Sequence, residues 1–515
     1  MGELFHFYFL KRFRQNICSY EVQEMNTATP IKILFTLLLI LFCIDASPQD
    51  ASLTLEDDKR NDSIITCASQ RYESHSLFRQ LFMGTNYRRA WSQPVKFPVF
   101  YLSRSGFTVK ELGGGMQTMS LQLRDAAGKQ WALRTVEKQV AKAMPGWAKN
   151  TLAQKLSQDQ VSASFPYGAS IAIGLAAAAG ITAAPTQIYF IADDTALGEF
   201  RSFFANTLCS LQERDAGVDN TVSSRQLLTL MRKENRHAVD QKALLHARLL
   251  DMLIADWDRH EDNWRWQVKD TGTNRRYSPI PKDRDWAFFR SNGLLPYLVR
   301  FTGMRFLVPF SPKSSGLKNL NNKVWLFDKL LLNELDRAQW ENISKAFVQQ
   351  LPDSAIETAV KTLPKEIYAL HGQEFINILK SRRNGLAKNV MDYYEFVSEE
   401  IIINGSDEEE LIQVSSFNDQ LTVSMYKIVN GREGDKIYER SFSGNETYHI
   451  TINAFDGDDR FEVGGNTASK IKLTLKGGKG NDTYNLEGAL RTKVFETASE
   501  KNTIRNKNKS RISFQ

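Results

Sequence analysis

Asp256-Trp257-Asp258-Arg259-His260-Glu261-Asp262-Asn263-Trp264, with Pro281-Lys282-Asp283-Arg284-Asp285-Trp286-Ala287-Phe288 downstream, is the stretch whose reading decides the fold. Ahead of it, Ala243 to Ala255 repeats apolar residues at three- and four-residue spacing. That pattern predicts a largely buried helix, with the acidic cluster in the loop where the helix ends. Trp257, Trp264, Trp266, Trp286, Phe288 and Phe289 interleave with the charges. Aromatics at that density imply partial burial, where an unpaired carboxylate is costly unless it binds a cation or ligand. The competing reading is a surface salt-bridge cluster, each pair worth roughly 0 to 1 kcal/mol; it leaves the aromatics unexplained.

Upstream, Leu112-Gly113-Gly114-Gly115-Met116-Gln117-Thr118 precedes an alternating run, Met119 to Arg124, a turn at Asp125 to Lys129 and a second run, Gln130 to Val136. This predicts a glycine-rich loop feeding a β-hairpin. Glycines let backbone amides approach phosphate oxygens closely, and a cation on the next strand reaches the same phosphates. Gly113, Gly114, Gly115 and Arg134 are therefore the candidate nucleotide- or phosphate-binding residues. The alternative is a flexible turn and an exposed strand arginine, whose planar fork differs from a compact lysine. A helix expected around Ala153 to Gln160 contains no glutamate, so Asp159 is the one nearby acid able to pair with Arg134, and a solvated helix residue is the favoured alternative.

The remaining pattern predicts an α+β chain. Helical periodicity is expected over Leu77 to Trp91, Ile171 to Ala179, Gly198 to Asn206, Ser223 to Lys233, Trp325 to Leu331, Asp336 to Leu351 and Ile356 to Phe396. Strands are expected at Val95 to Leu102 and Thr186 to Ile191. From about Ser398 glycine and aspartate rise and helical patterns stop, so residues 398–515 read as a separate β-rich module after a main domain over 64–397, divided near 195. Asp456-Gly457-Asp458-Asp459 and Lys479-Gly480-Asn481-Asp482 superpose at a fixed offset. Gly477 to Asn485 fits the Gly-Gly-x-Gly-x-Asp-x-large pattern of calcium-binding parallel β-rolls, with Gly478, Gly480, Asp482 and Asp459 as candidate calcium residues. A plain Asp/Gly turn at the end of a β-layer is the alternative.

Ile33 to Ile44 is apolar apart from Thr36, with Lys32 before it and Asp45-Ala46-Ser47-Pro48 after it. The run is short for a bilayer span and reads as a secretory signal starting at Met25, which makes 1–46 upstream extension plus signal and 47–63 a disordered leader. A lipoprotein site at Cys43 is disfavoured by the bulky Phe42 before it. Of the four cysteines only Cys67 and Cys209 remain, open to one disulfide or two thiols. With 66 basic and 59 acidic residues interspersed, the net charge of +7 implies a mixed surface and no nucleic-acid partner.

Asp258-Arg259-His260-x-x-Asn263 followed by Ile280-Pro281-Lys282-Asp283-x-x-x-Ala287-Phe288 resembles the catalytic and metal loops of atypical kinases, over roughly Leu112 to Phe289. The resemblance implies a two-lobed domain with a helical large lobe, and magnesium (or manganese) with an ATP-like nucleotide as cofactors. It casts Asp258 as the residue that orients or deprotonates the acceptor, Asn263 and Asp283 as metal ligands with Asp285 able to share, and Arg259 and His260 as braces. Lys282 or Arg284 would contact phosphate. Trp131-Ala132-Leu133-Arg134, Ser162-Ala163-Ser164-Phe165-Pro166-Tyr167 and Asp256 to His260 resemble more closely a group of exported Gram-negative proteins. In that group the segment often lies between a calcineurin-like phosphoesterase domain and an outer-membrane β-barrel. That implies the periplasm or cell surface, with envelope proteins or a barrel as partners. A non-catalytic binding or assembly module on the same scaffold is the second expectation, and nucleotide hydrolysis or nucleotidyl transfer a third.

Overall fold

The computed structural model describes residues 62–113, 118–301, 303–497 and 500–514. The signal segment, most of the leader, Gly114 and Gly115 lie outside the described residues. All described residues belong to one unit, Arg60–Gln515.

A seven-stranded sheet is built from β1 (Ser63–Thr66), β2 (Val95–Phe100), β3 (Thr108–Gly113), β4 (Ser120–Arg124), β5 (Gln130–Thr135), β6 (Thr186–Ile191) and β7 (Leu208–Glu213), in the spatial order β1-β2-β6-β7-β5-β4-β3. Alternation along β4 and β5 puts Leu121, Leu123 and Leu133 into a core with Phe100, Ile191, Phe204 and Cys209. One row of the sheet runs Gly113, Ser120, Arg134, Ser210 from strand to strand. Strands lie about 4.8 Å apart, so Gly113 and Arg134 sit two strands from each other on one line. Cys67 and Cys209 are both free thiols.

The helix Gln241–Leu253 starts where the Asp240 side chain accepts from Ala243 N, and it buries Leu244, Leu245, Leu249, Leu250, Met252 and Leu253. It ends at Leu253, and Ala255, with φ of 53°, turns the chain into the loop at Asp256. A second sheet follows, β8 (Thr221–Ser223), β9 (His237–Val239), β10 (Trp264–Thr271) and β11 (Asn274–Pro281), in the order β8-β10-β11-β9. The β10/β11 hairpin pairs Trp264 with Pro281, so Lys282 N donates to Asn263 O at 3.1 Å. The hairpin thus folds the two halves of the opening stretch onto each other.

Helices Trp325–Leu331, Arg337–Gln350, Asp353–Val360 and Lys365–Ser398 complete the main core. Three expected helices are divided. Leu77 to Trp91 becomes Leu77–Met83 and Arg88–Ser92, broken at Gly84 with φ 96°. Ile356 to Phe396 is interrupted before Pro364, which caps the long helix. Gly198 to Asn206 becomes a 3-10 segment, Thr195–Phe200, and a short helix, Arg201–Phe204, because Gly198 leaves helical geometry.

Beyond Ser398 the chain is all strand: β12 (Glu400–Asn404), β13 (Glu410–Phe417), β14 (Gln420–Val429), β15 (Arg432–Ser443), β16 (His449–Asp456), β17 (Arg460–Gly465), β18 (Lys472–Lys479), β19 (Thr483–Leu486), β20 (Thr492–Glu496), β21 (Thr503–Asn506) and β22 (Arg511–Phe514). From β16 on, it alternates between a parallel sheet β12-β16-β18-β20-β22 and the parallel edge β13-β17-β19-β21. His449 lies beside Lys472 and Arg460 beside Thr483, so the repeat visible in the sequence is one turn of a coil. Ile450, Ile452, Leu473, Leu475 and Val494 face Ile412, Val414, Phe461, Val463, Tyr484 and Leu486 across its interior.

Candidate functional site

Everything in the loop after Leu253 hangs on buried ions. Asp251, fully buried in an apolar helix, accepts from Arg248 at 3.0 Å, from Arg259 at 3.2 Å and from Arg284 at 3.1 and 3.2 Å. Burial alone would raise its carboxyl pKa, but Arg259, Arg284 and Arg248 hold it below the usual range. Arg248 also reaches Asp328 at 2.9 Å, and Tyr393 donates to the same carboxylate at 2.7 Å. A carboxylate inside so apolar a run was itself the signal for this cluster; sequence reasoning passed over it.

Arg259 is the clamp. Besides Asp251, it donates to the carbonyls of Lys282 at 2.7 Å, Asp283 at 3.0 Å and Asn263 at 3.0 Å, and its guanidinium lies over Trp264 at 4.8 Å. One side chain therefore fixes the amide loop and the acidic segment together. The Asn263 amide nitrogen donates to the Asp258 carbonyl, which turns its Oδ1 the other way. Asp283 has φ 57° and its side chain is half-buried. His260 caps the short turn Glu261–Asn263 by accepting from Asp262 N at 3.3 Å. Asp256 is buried; its Oδ2 accepts no hydrogen bond but lies 3.7 Å from the Arg259 guanidinium, and burial pushes its carboxyl up to about 7. Its Oδ1 accepts from Asp258 N at 3.2 Å and so orients the Asp258 backbone.

The sheet's cation acts electrostatically on the same segment. Arg134 donates to Gln212 at 3.2 Å, and its charge is felt by Asp285 and Lys282. Lys282 is pushed down to about 8 by burial and then by the charges of Arg134, Arg214 and Arg265. Of these arginines, Arg265 is itself paired with Asp215 at 2.9 Å, which leaves Arg134, Arg214 and Lys282 as the cations that would favour a polyanion.

Three residues sit differently from expectation. Asp159 pairs with Arg88 at 2.9 Å and with Arg79, not with Arg134, because the 3-10 turn Gln160–Ala163 that follows it packs on the helix Arg88–Ser92. Arg284 is buried on Asp251, so it is not available to a phosphate. Asp285 is held by Lys138 at 2.8 Å, a lysine that lies over the Trp286 ring at 4.0 Å. Burial would raise the Asp285 carboxyl, but Lys138 and Arg134 keep it low. Lys138 lies four residues past Arg134, where the strand pattern has ended, and nothing local marks it.

In the coil, Gly478 and Gly480 have φ 108° and 139°, and a Cβ on either would collide with the carbonyl of Phe455 or Gly457 in the turn below. Close stacking thus requires these glycines. The aspartates form a ladder: Glu410 N donates to Asp459, Asp459 N to Asp482 and Asp482 N to Asn502, at 2.8, 2.8 and 2.7 Å. The second carboxylate oxygens of Asp459 and Asp482 are buried and unpartnered. Burial first, then neighbouring acids, pushes Asp459 up to about 9 and Asp482 up to about 7. Among the described residues no group of three His, Cys, Asp or Glu side chains has the arrangement of a metal site.

No protein-family model matches the chain, and no curated protein matches it. Twelve solved chains match. They include the proinflammatory kinase CtkA of Helicobacter pylori, at 9% identity and TM-score 0.28 over 55% of this chain and 94% of that one. A Rio2 kinase–ADP/Mg2+–phosphoaspartate complex from Chaetomium thermophilum matches at 14% identity and TM-score 0.23, over 56% and 73%. The MAP kinase LmaMPK10 of Leishmania major matches at 11% and 0.19, over 56% and 83%. These structural neighbours are kinases; at such TM-scores the likeness carries no residue's role over to this chain.

Proposed function

We propose that the chain is an exported, kinase-like protein of the bacterial envelope whose site performs magnesium-dependent phosphoryl transfer, with a two-lobed main domain and a β-roll-like C-terminal module. The observation that carries the reading is the Arg259 clamp, which binds the carbonyls of Asn263, Lys282 and Asp283 at once. It ties the backbones of Asn263 and Asp283 to one side chain; the Asn263 amide oxygen and the half-buried Asp283 carboxylate would then supply hard oxygens of the kind magnesium takes while keeping waters and substrate phosphates in its shell. A metal so held would neutralise phosphate charge. Arg134 and Lys282 would receive the phosphates, and Asp258 would orient the acceptor hydroxyl. Asp459 and Asp482 would turn their free oxygens to calcium in the coil.

One observation favours the second reading, a binding or assembly module without catalysis. Lys138 neutralises Asp285, and Arg134 stands where a compact lysine suits phosphates better. Thermal-shift titration of the full chain with ATP, with and without magnesium, tests both. Stabilisation that needs both ligands and disappears in Asp283→Ala supports a magnesium-nucleotide site, and release of ADP from ATP by the wild type but not by Asp258→Ala then separates phosphotransfer from binding alone. No response to either ligand in the wild type removes the enzyme reading.

A further inference from the structure

The helix Leu294–Phe301 turns Leu294, Tyr297, Leu298 and Phe301 to solvent, an i, i+3, i+4, i+7 stripe in which Phe301 is 69% exposed. The helix Leu77–Met83 lies against it and exposes Leu77 and Leu81, at 81% and 64%. The pair is locked by backbone. A Cβ at Gly293 would collide with Phe82, Met83 and Gly84, and the Asn86 and Asn292 side chains each accept from the other's backbone N–H, at 3.4 and 3.2 Å. Two adjoining apolar faces held outward in this way mark an interaction surface.

Charge names the occupant. From Trp286 to Phe327 the chain carries Arg290, Arg300, Arg305, Lys313, Lys318 and Lys323 and neither Asp nor Glu; from Ser74 to Lys110 it again has no acid. Glu374 neutralises Arg290, at 2.6 Å, but Arg300 and Arg305 make no ion pair among the described residues. A second copy of this face would set those cations against their own kind, which disfavours self-pairing. Apolar side chains flanked by uncompensated arginines match the headgroup boundary of an anionic bilayer. No single helix among the described residues is long and apolar enough to cross a membrane; the bent pair Leu152–Ala163 and Gly168–Ala178 has the composition, but Ile171, Ala172 and Leu175 in it are core. Contact would therefore be with the bilayer surface. The same segment reaches the loop: Phe306 packs on Trp257 at 4.8 Å between ring centroids, and Lys323 lies over that ring at 4.5 Å.

We infer that the paired faces of Leu77–Met83 and Leu294–Phe301 seat on an anionic lipid surface, whether or not the neighbouring cleft transfers phosphate. The test is co-sedimentation of the full chain with vesicles of phosphatidylcholine alone and of phosphatidylcholine with phosphatidylglycerol. Binding should require the anionic lipid and weaken in high salt. Leu298→Ser/Phe301→Ser and, on the other helix, Leu77→Ser/Leu81→Ser should each lower the partition at least about tenfold, with circular dichroism unchanged. Arg300→Gln/Arg305→Gln should abolish the preference for anionic lipid. Equal binding to both vesicle types, or undiminished binding by all three variants, would overturn the inference. So would light scattering that shows a dimer split by the apolar variants, since a second copy would then be the occupant.

Discussion

Asp251 shows how much a single carboxylate can organise. Three guanidinium groups share it in the interior, and a buried ion cluster that loses one partner is left with uncompensated charge, at a cost of about 3 to 5 kcal/mol. Asp251→Asn keeps the volume and removes the charge. Chemical denaturation should show a loss of that size, and a loss under about 1 kcal/mol would mean the arginines find other partners. The pH dependence has a definite sign. Because its folded pKa is depressed, Asp251 stabilises above the unfolded carboxylate value and loses that contribution as pH falls through its own pKa. Asp256 acts oppositely: raised to about 7, it favours folding most below the unfolded value, and that is lost as pH rises through about 7. At the same scale, Lys138 with Asp285 and Arg88 with Asp159 lie 147 and 71 residues apart in sequence. Periodicity and local spacing carry no information about such pairs, so neither the Arg88 partner of Asp159 nor the Lys138 partner of Asp285 is legible in the sequence.

Elements were easier to read than partners. The helix before Asp256, the hairpin after Gly113 and the strand Thr186–Ile191 follow from apolar spacing, because each buries one face against a core. The divisions at Gly84, Gly198 and Pro364 were not anticipated, since apolar periodicity runs through a break that the backbone decides. In the coil, the repeat of Asp/Gly turns was visible, but the burial of Asp459 and Asp482 depends on how turns stack. That burial yields a prediction. Both carboxyls are raised, so the metal-free coil is most stable at low pH and weakens as pH rises through about 7 and about 9. Asp459→Asn and Asp482→Asn keep the oxygen that accepts the ladder bond and remove the charge. Each should raise the melting temperature at pH above neutrality and flatten its pH dependence; a lowered melting temperature would show that the charged form is required. Gly478→Ala should destabilise the coil by more than about 1 kcal/mol, because its added methyl meets the Phe455 carbonyl.

On the scale of the whole molecule, the main domain and the coil join through a polar seam. Tyr438 and Arg440 donate to the Asn333 carbonyl at 2.9 and 2.7 Å, Arg232 pairs with Asp407 at 3.1 Å, and Lys427 reaches Asn274 at 2.6 Å. With residues 60–515 forming one unit, calorimetry should record a single melting transition. Two separated transitions would show that the seam does not couple its two sides. The proposed phosphotransfer site draws on Arg134, Lys282, Asn263 and Asp283. It is tested most directly by thermal-shift titration of wild type, Asn263→Ala and Asp283→Ala with ATP in the presence and absence of magnesium. The account predicts stabilisation of the wild type only with both ligands and none in either variant. Equal stabilisation of all three proteins, or no stabilisation of the wild type, would contradict it.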